Sequence, residues 1–247
     1  MRRLFILLLL LLAPAWSQTI HEAVRDDDIK AVTEMLETHP DLVKLAQDGV
    51  SPLHVACFHG HAAMANLLLE KGADLEAVDR LGASPLIRAL AEGHSTLAVA
   101  LIERGANVNR ATKLGETPLM MAAREGNRAA IDALLAKGAQ LEAVDGRKRT
   151  PLHHAVEAAN MANIQRLLEA GANLEALDKN GQSVLHKASF MSQSEIVLTL
   201  LRAGANRELR DSRGRTPQRI ALERRDPDLA RLLEPGAPIP ETKPQHP

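Results

Sequence analysis

Two hydrophobic patterns divide the chain. The first is an unbroken apolar run from Leu4 to Leu12, behind the basic start Met1-Arg2-Arg3. The second fills nearly everything after residue 18 with short segments of helical period, each ended by a glycine stop. Leu53 and Ala56 lie three apart and share one face of a short helix that Gly60 closes. Leu67, Leu68 and Leu69 carry a second helix to a stop at Gly72, and Asp79-Arg80-Leu81-Gly82 reads as a tight turn. The pattern predicts pairs of short helices joined by turns, with no sheet.

The pairs recur with a fixed period. Ser51-Pro52-Leu53-His54-Val55-Ala56 returns as Ser84-Pro85-Leu86-Ile87-Arg88-Ala89 and Thr117-Pro118-Leu119-Met120-Met121-Ala122. It returns again as Thr150-Pro151-Leu152-His153-His154-Ala155, Ser183-Val184-Leu185-His186-Lys187-Ala188 and Thr216-Pro217-Gln218-Arg219-Ile220-Ala221. Each step is 33 residues without insertion. Gly-Ala pairs beginning at Gly72, Gly105, Gly138, Gly171 and Gly204 keep the same register. Ser or Thr suits an N-cap and proline the first helical turn. One such unit cannot bury its own apolar face, so the units must stack.

The period and the Thr-Pro-Leu-His-x-Ala signature resemble the ankyrin repeat family. The resemblance covers residues 18–234, with units starting near 18, 51, 84, 117, 150, 183 and 216. It implies an all-α solenoid of stacked helix-turn-helix units with β-hairpin-like tips. The first unit keeps Ile20 and Ala23 but lacks Ser/Thr-Pro, and Asp27-Asp28 stands where the next unit has Gly60-His61. Those carboxylates read as helix caps. Beyond Leu233, residues 235–247 hold five prolines in thirteen positions and read as an extended, disordered tail.

The first run is too short to span a membrane, which takes about 20 apolar residues, and Pro14 interrupts its flank. With the small residues of Ala13-Pro14-Ala15-Trp16-Ser17 it reads as a signal peptide, residues 1–17, cleaved after Ala15 or Ser17. That implies export, to a periplasmic or secreted destination, with no stable membrane anchor afterwards.

Composition narrows the chemistry. Lys+Arg number 30 against 31 Asp+Glu, a formal charge of -1, which gives no footprint for nucleic acid. Aromatics are 2% of the chain, against an all-β fold. The single Cys57 reads as a small buried hydrophobe and can form no intramolecular disulfide. No GxGxxG, Walker loop, HExxH or GxSxG occurs, so no enzyme activity and no cofactor or metal site are expected. His54, His153 and His186 share the signature's histidine column, and the resemblance implies a structural role for them at the Ser/Thr turn. His61 and His94 follow the helix-closing glycine, while His59 and His154 read as surface residues.

The resemblance also implies a concave binding groove formed by the turn tips and the inner ends of the first helices. By column, the tips carry Arg80-Leu81, Lys113-Leu114, Arg147-Lys148-Arg149, Lys179 and Arg213. The helix positions carry Phe58-His59, Arg124 and Phe190-Met191. The tips are basic in a chain of net negative charge, with Glu76, Glu142 and Glu175 close enough in sequence to neutralise them. Lys148 replaces the turn glycine, which leaves that turn's geometry open. The resulting expectation is a monomeric, non-enzymatic module that binds an acidic protein partner outside the cytoplasm. The resemblance to exported bacterial ankyrin proteins points to an inhibitor or immunity-type role. The alternatives are a secreted effector that binds host proteins and, with less room in the chain, an enzyme-associated platform.

Overall fold

The computed structural model describes residues 19–125 and 128–240. The expected signal peptide, residues 1–17, and the tail from Glu241 to Pro247 lie outside the described residues. The described chain is a row of seven helix pairs. They are α1 (Ile20–Arg25) with α2 (Ile29–Thr38), α3 (Pro52–His59) with α4 (Ala62–Glu70), and α5 (Pro85–Ala91) with α6 (Ser95–Glu103). Next come α7 (Pro118–Glu125) with α8 (Arg128–Ala136), α9 (Pro151–Glu157) with α10 (Met161–Glu169), and α11 (Val184–Phe190) with α12 (Ser194–Arg202). The last pair is α13 (Pro217–Glu223) with α14 (Pro227–Leu232). A short 3-10 turn, Pro40–Lys44, follows α2. Among the described residues the only β pairing is one bridge between Gln47 and Val50.

Local chemistry starts each first helix in the same way. Ser51, Ser84, Thr150, Ser183 and Thr216 hold extended backbone at the N-cap, and proline follows in all but the Ser183 repeat. The first unit begins one residue later. There Thr19 caps α1 and forms a reciprocal box with Glu22, whose carboxylate accepts from Thr19 N at 2.6 Å. Asp28 caps α2 by accepting from Ala31 N, while Asp27 takes the left-handed place of Gly60 at φ 55°.

Packing follows the columns. Each first helix, from α1 to α11, packs on the first helix of the next repeat. Ala23, Ala56, Ala89, Ala122, Ala155, Ala188 and Ala221 are all buried along that row, so small side chains let these helices approach closely. Leu53, Leu86, Leu119, Leu152 and Leu185 fill the space between repeats. In the last described repeat that column holds Gln218, a polar residue of the kind a terminal repeat carries. Cys57 is fully buried, and burial pushes its thiol pKa up, so it behaves as a core side chain.

Three rows of hydrogen bonds cross the junctions. In the first, a histidine ring does two jobs. His54 Nδ1 accepts from Ser51 N at 3.2 Å, which leaves Nε2–H to donate to Ala83 O of the next repeat at 3.0 Å. His153 and His186 repeat this, reaching Gln182 O at 3.2 Å and Arg215 O at 3.1 Å. His21 belongs to the same row, reaching Val50 O at 2.9 Å, although its repeat lacks the signature. In the second row, tip backbones join: Lys113 N donates to Leu81 O, Gly146 N to Leu114 O, Lys179 N to Arg147 O and Ser212 N to Asn180 O, at 2.8–3.0 Å. In the third, Glu76, Glu142 and Glu175 accept from the backbone N–H of Asn107, Asn173 and Asn206. These glutamates therefore clamp the following repeat rather than neutralise the tips; Glu76 also pairs with Arg110.

Behind the first helices, His61 and His94 donate to Arg25 O and Phe58 O of the preceding repeat, both at 3.0 Å. The fifth repeat has Asn160 in that column, and the buried Asn163 does the bridging instead, donating to Ala122 O and Ala123 O.

Lys148 keeps the turn geometry of its glycine counterparts. Its backbone sits at φ 59°, and its N–H donates to Asp145 O at 2.8 Å as Gly82 N does to Asp79 O. A side chain in this left-handed region costs about 1 kcal/mol. Lys148→Gly should therefore raise stability by about that amount, a melting-temperature gain of about 2–4 °C for a chain of this size. Thermal melts of the two proteins check it.

Candidate protein-binding groove

The turn-tip edge is built by the residue that opens each turn. Asp79 Oδ1 accepts from Leu81 N and Ala83 N, and Asp145, Asp178 and Asp211 accept from the equivalent amides at 2.7–3.0 Å. Thr112 does the same with its hydroxyl. Each turn is thus pinned to one carboxylate or hydroxyl, and the tip-to-tip bonds then join the turns into one continuous edge.

Three of the four buried turn aspartates add an arginine to these amides, while Asp178 is held by the amides alone among the described residues. Arg88 is that arginine for Asp79 and Arg215 for Asp211. For Asp145 it is Arg149, at 2.7 Å, which also reaches Glu157 at 2.7 Å; Lys187 closes the chain on Glu157 at 2.9 Å. Burial opposes ionisation of Asp79, Asp145 and Asp211. The arginine and turn N–H groups outweigh it, so all three titrate below the ordinary range, Asp211 at about 2. Arg149 is therefore turned back into the scaffold, its side chain only 17% exposed, and its charge is not free at the tip.

His154 corrects the surface reading. Its side chain is buried, with Nε2 3.2 Å from Asp145 Oδ2. Burial first, and the Arg149 charge second, push its pKa down to about 4.

The other tip residues are where the columns place them. Lys113, Leu114, Arg147, Lys148, Lys179 and Arg213 are exposed. Arg80 is exposed and paired with Asp48 across the first junction. Leu81 and Leu114 are 59% and 67% exposed. On the helices, Phe58, Phe190 and Met191 are all exposed. The Arg224 guanidinium of the next repeat lies 4.9 Å over the Phe190 ring. His59 is exposed and stacks on His61, while Arg124 is half-buried, bonded to Glu125 and to Met121 Sδ. The two phenylalanines do not meet. Four repeats separate them, roughly 40 Å at normal helix spacing.

A further column escaped the sequence reading. Val78, Val144 and Leu177 directly precede the turn aspartates and are exposed. Their apolar character at a period of 33 was visible, but periodicity alone does not tell an outward column from an inward one. Among the described residues no group of three or more His, Cys, Asp or Glu could hold a metal ion, and no helix is long and apolar enough to cross a membrane.

The buried His154 makes stability depend on pH. Its folded pKa lies below the ordinary 6.5, so between about 6.5 and 4 the unfolded chain holds the extra proton. Its contribution is full above pH 6.5 and is lost as pH falls through that window, on the order of 3 kcal/mol in all. Burial lowers His21, His54, His153 and His186 too, in the same direction. Urea unfolding at pH 7 and pH 4.5 should show a marked loss in the parent protein. His154→Gln should lose less, by on the order of 2 kcal/mol; an identical loss would refute the assignment.

Comparison with known proteins agrees with this architecture. A family model described as Ankyrin repeats (3 copies) matches residues 20–112, 109–178 and 157–242. The crystal structure of the ankyrin repeat domain of Bcl-3, described as a unique member of the IkappaB protein family, is similar with a TM-score of 0.73. It is 30% identical over 87% of this chain and 98% of that one. No curated protein matches. Ankyrin repeats are protein–protein interaction modules, and this chain, which the family model covers nearly throughout, belongs to the ankyrin repeat family.

Proposed function

We propose that this chain is a non-enzymatic module that holds a protein partner along the edge formed by its turn tips and the ends of its first helices. The observation that carries the reading is the tip edge itself. It is continuous across four junctions and presents exposed Leu81, Leu114, Val78, Val144 and Leu177 beside exposed Lys113, Arg147, Lys148, Lys179 and Arg213. Exposed apolar side chains repeated along one edge beside basic ones suit a protein interface. The basic side chains steer an acidic partner and the apolar ones anchor it. The apolar start of the sequence supports export, and with it an inhibitor or immunity-type role outside the cytoplasm.

The experiment is purification of partners from the extracytoplasmic fraction, with the mature N-terminus read by mass spectrometry, followed by surface-plasmon kinetics at two salt concentrations. Arg147→Glu with Lys179→Glu should slow association. The effect should shrink as salt rises, since exposed charges are screened beyond about 10 Å at 0.1 M. Phe190→Ala should instead speed dissociation with little salt dependence. Parent-like binding by both variants, once melts show them folded, would place the partner elsewhere. Arg149 is left intact because its loss removes the arginine that pairs with buried Asp145.

A further inference from the structure

We propose that the C-terminal end of the stack carries a second recognition element: a cleft that takes an acidic peptide segment, gripped by Arg207, Arg210, Arg213 and Arg219. The proposal rests on the protein-binding reading above and names the chemistry at one end of that surface. The cleft has a volume of about 660 Å³, and five arginines line it against only Glu208 and Glu223. Interior junctions fill the corresponding space with the next repeat. Here Gln218 stands in the leucine column and Arg219 in the histidine column, so the last repeat presents a polar, open face.

The arginines differ in how far they are already satisfied. Arg215 is held by Asp211 and Glu223, and Arg219 shares Glu223. Arg210 donates to Gly214 O at 3.0 Å, and Arg207 to the carbonyls of Glu234 and Ala237 at 2.8 Å. Arg213 is exposed at the turn tip. Among the described residues, none of Arg207, Arg210 and Arg213 has a carboxylate within 4.0 Å. Elsewhere in the stack Arg80, Arg88, Arg110, Arg128, Arg149 and Arg166 each pair with one. Uncompensated guanidinium groups around a cleft focus positive potential and present forks that match carboxylates.

Two features favour a peptide over a single small anion. The volume is several times that of one oxyanion, and the cleft opens beside the turn tips. Arg213 and Gly214 also belong to the last turn tip, so an extended segment lying on the tip edge runs into the cleft. The bond from Arg207 to the backbone at Glu234 and Ala237, and that from Arg202 to Pro240 O, hold the chain leaving α14 against the stack, with Pro235 at the cleft's rim.

The test uses the full chain and an octaglutamate peptide, measured by calorimetry at about 0.15 M ionic strength, where the screening length is about 8 Å. The peptide should bind, and Arg210→Gln with Arg213→Gln should weaken it about tenfold or more, as expected for two lost charge-assisted contacts. Arg147→Glu with Lys179→Glu, outside the cleft, should leave it within about twofold, which separates this proposal from the tip-edge reading. The proposal falls if octaglutamate does not bind, or binds equally to the Arg210/Arg213 variant. It also falls if tripolyphosphate alone binds at the cleft. Sedimentation covers the remaining occupant: self-association abolished by the same variant would make the cleft a seat for the acidic first repeat of a second copy.

Discussion

A histidine ring at the start of a helix carries a lone pair on Nδ1 and a proton on Nε2, and the junctions of this stack use both. His54 accepts from its own N-cap and donates to the carbonyl of Ala83 in the next repeat. His21 keeps the second bond alone, its buried Nδ1 having no partner among the described residues. At His54 the cap aims the ring, and the neighbouring repeat satisfies the far nitrogen. Since the ring is buried, a missing neighbour leaves a desolvated polar group and an open apolar face together. The tip bonds and the glutamate clamps repeat this logic on either side of the ring. Where the column holds Ile87 or Met120, those other two rows remain to join the repeats.

The same constraint shapes the surface. Each turn is pinned by a carboxylate or hydroxyl, and three of the four buried turn aspartates, Asp79, Asp145 and Asp211, pair with an arginine from the turn or the helix after it. Arg149 and Arg215 are therefore structural charges in a region that is basic by sequence. Arg147 and Arg213, two positions earlier in those turns, and Lys179 are exposed and form no ion pair with the turn aspartates among the described residues. In the last described repeat, the columns that hold leucine and histidine at the signature carry Gln218 and Arg219.

The repeat architecture was legible because packing one unit on the next imposes a residue type at each column, and the columns recur every 33 residues. The histidine row, the caps and the buried cysteine follow from the same rule. His154 was not legible in that way. Its column holds Val55, Arg88, Met121, Lys187 and Ile220, a mixture that looks like surface. The missed signal was the aspartate nine residues earlier: Asp79 faces Arg88 at that spacing, and Asp145 faces His154. The outward apolar column of Val78, Val144 and Leu177 was hidden for another reason. Only the path of the turn decides which side of the edge such residues occupy.

The central claim is that stability resides in the junctions and not in the units, as expected for a solenoid. Urea denaturation of a series shortened one repeat at a time from the C-terminus tests it most directly. Each removal should lower both the midpoint and the slope of the transition, and a fragment holding only residues 150–215 should be unfolded in buffer. A cooperative transition of that fragment at the midpoint of the full chain would contradict the account.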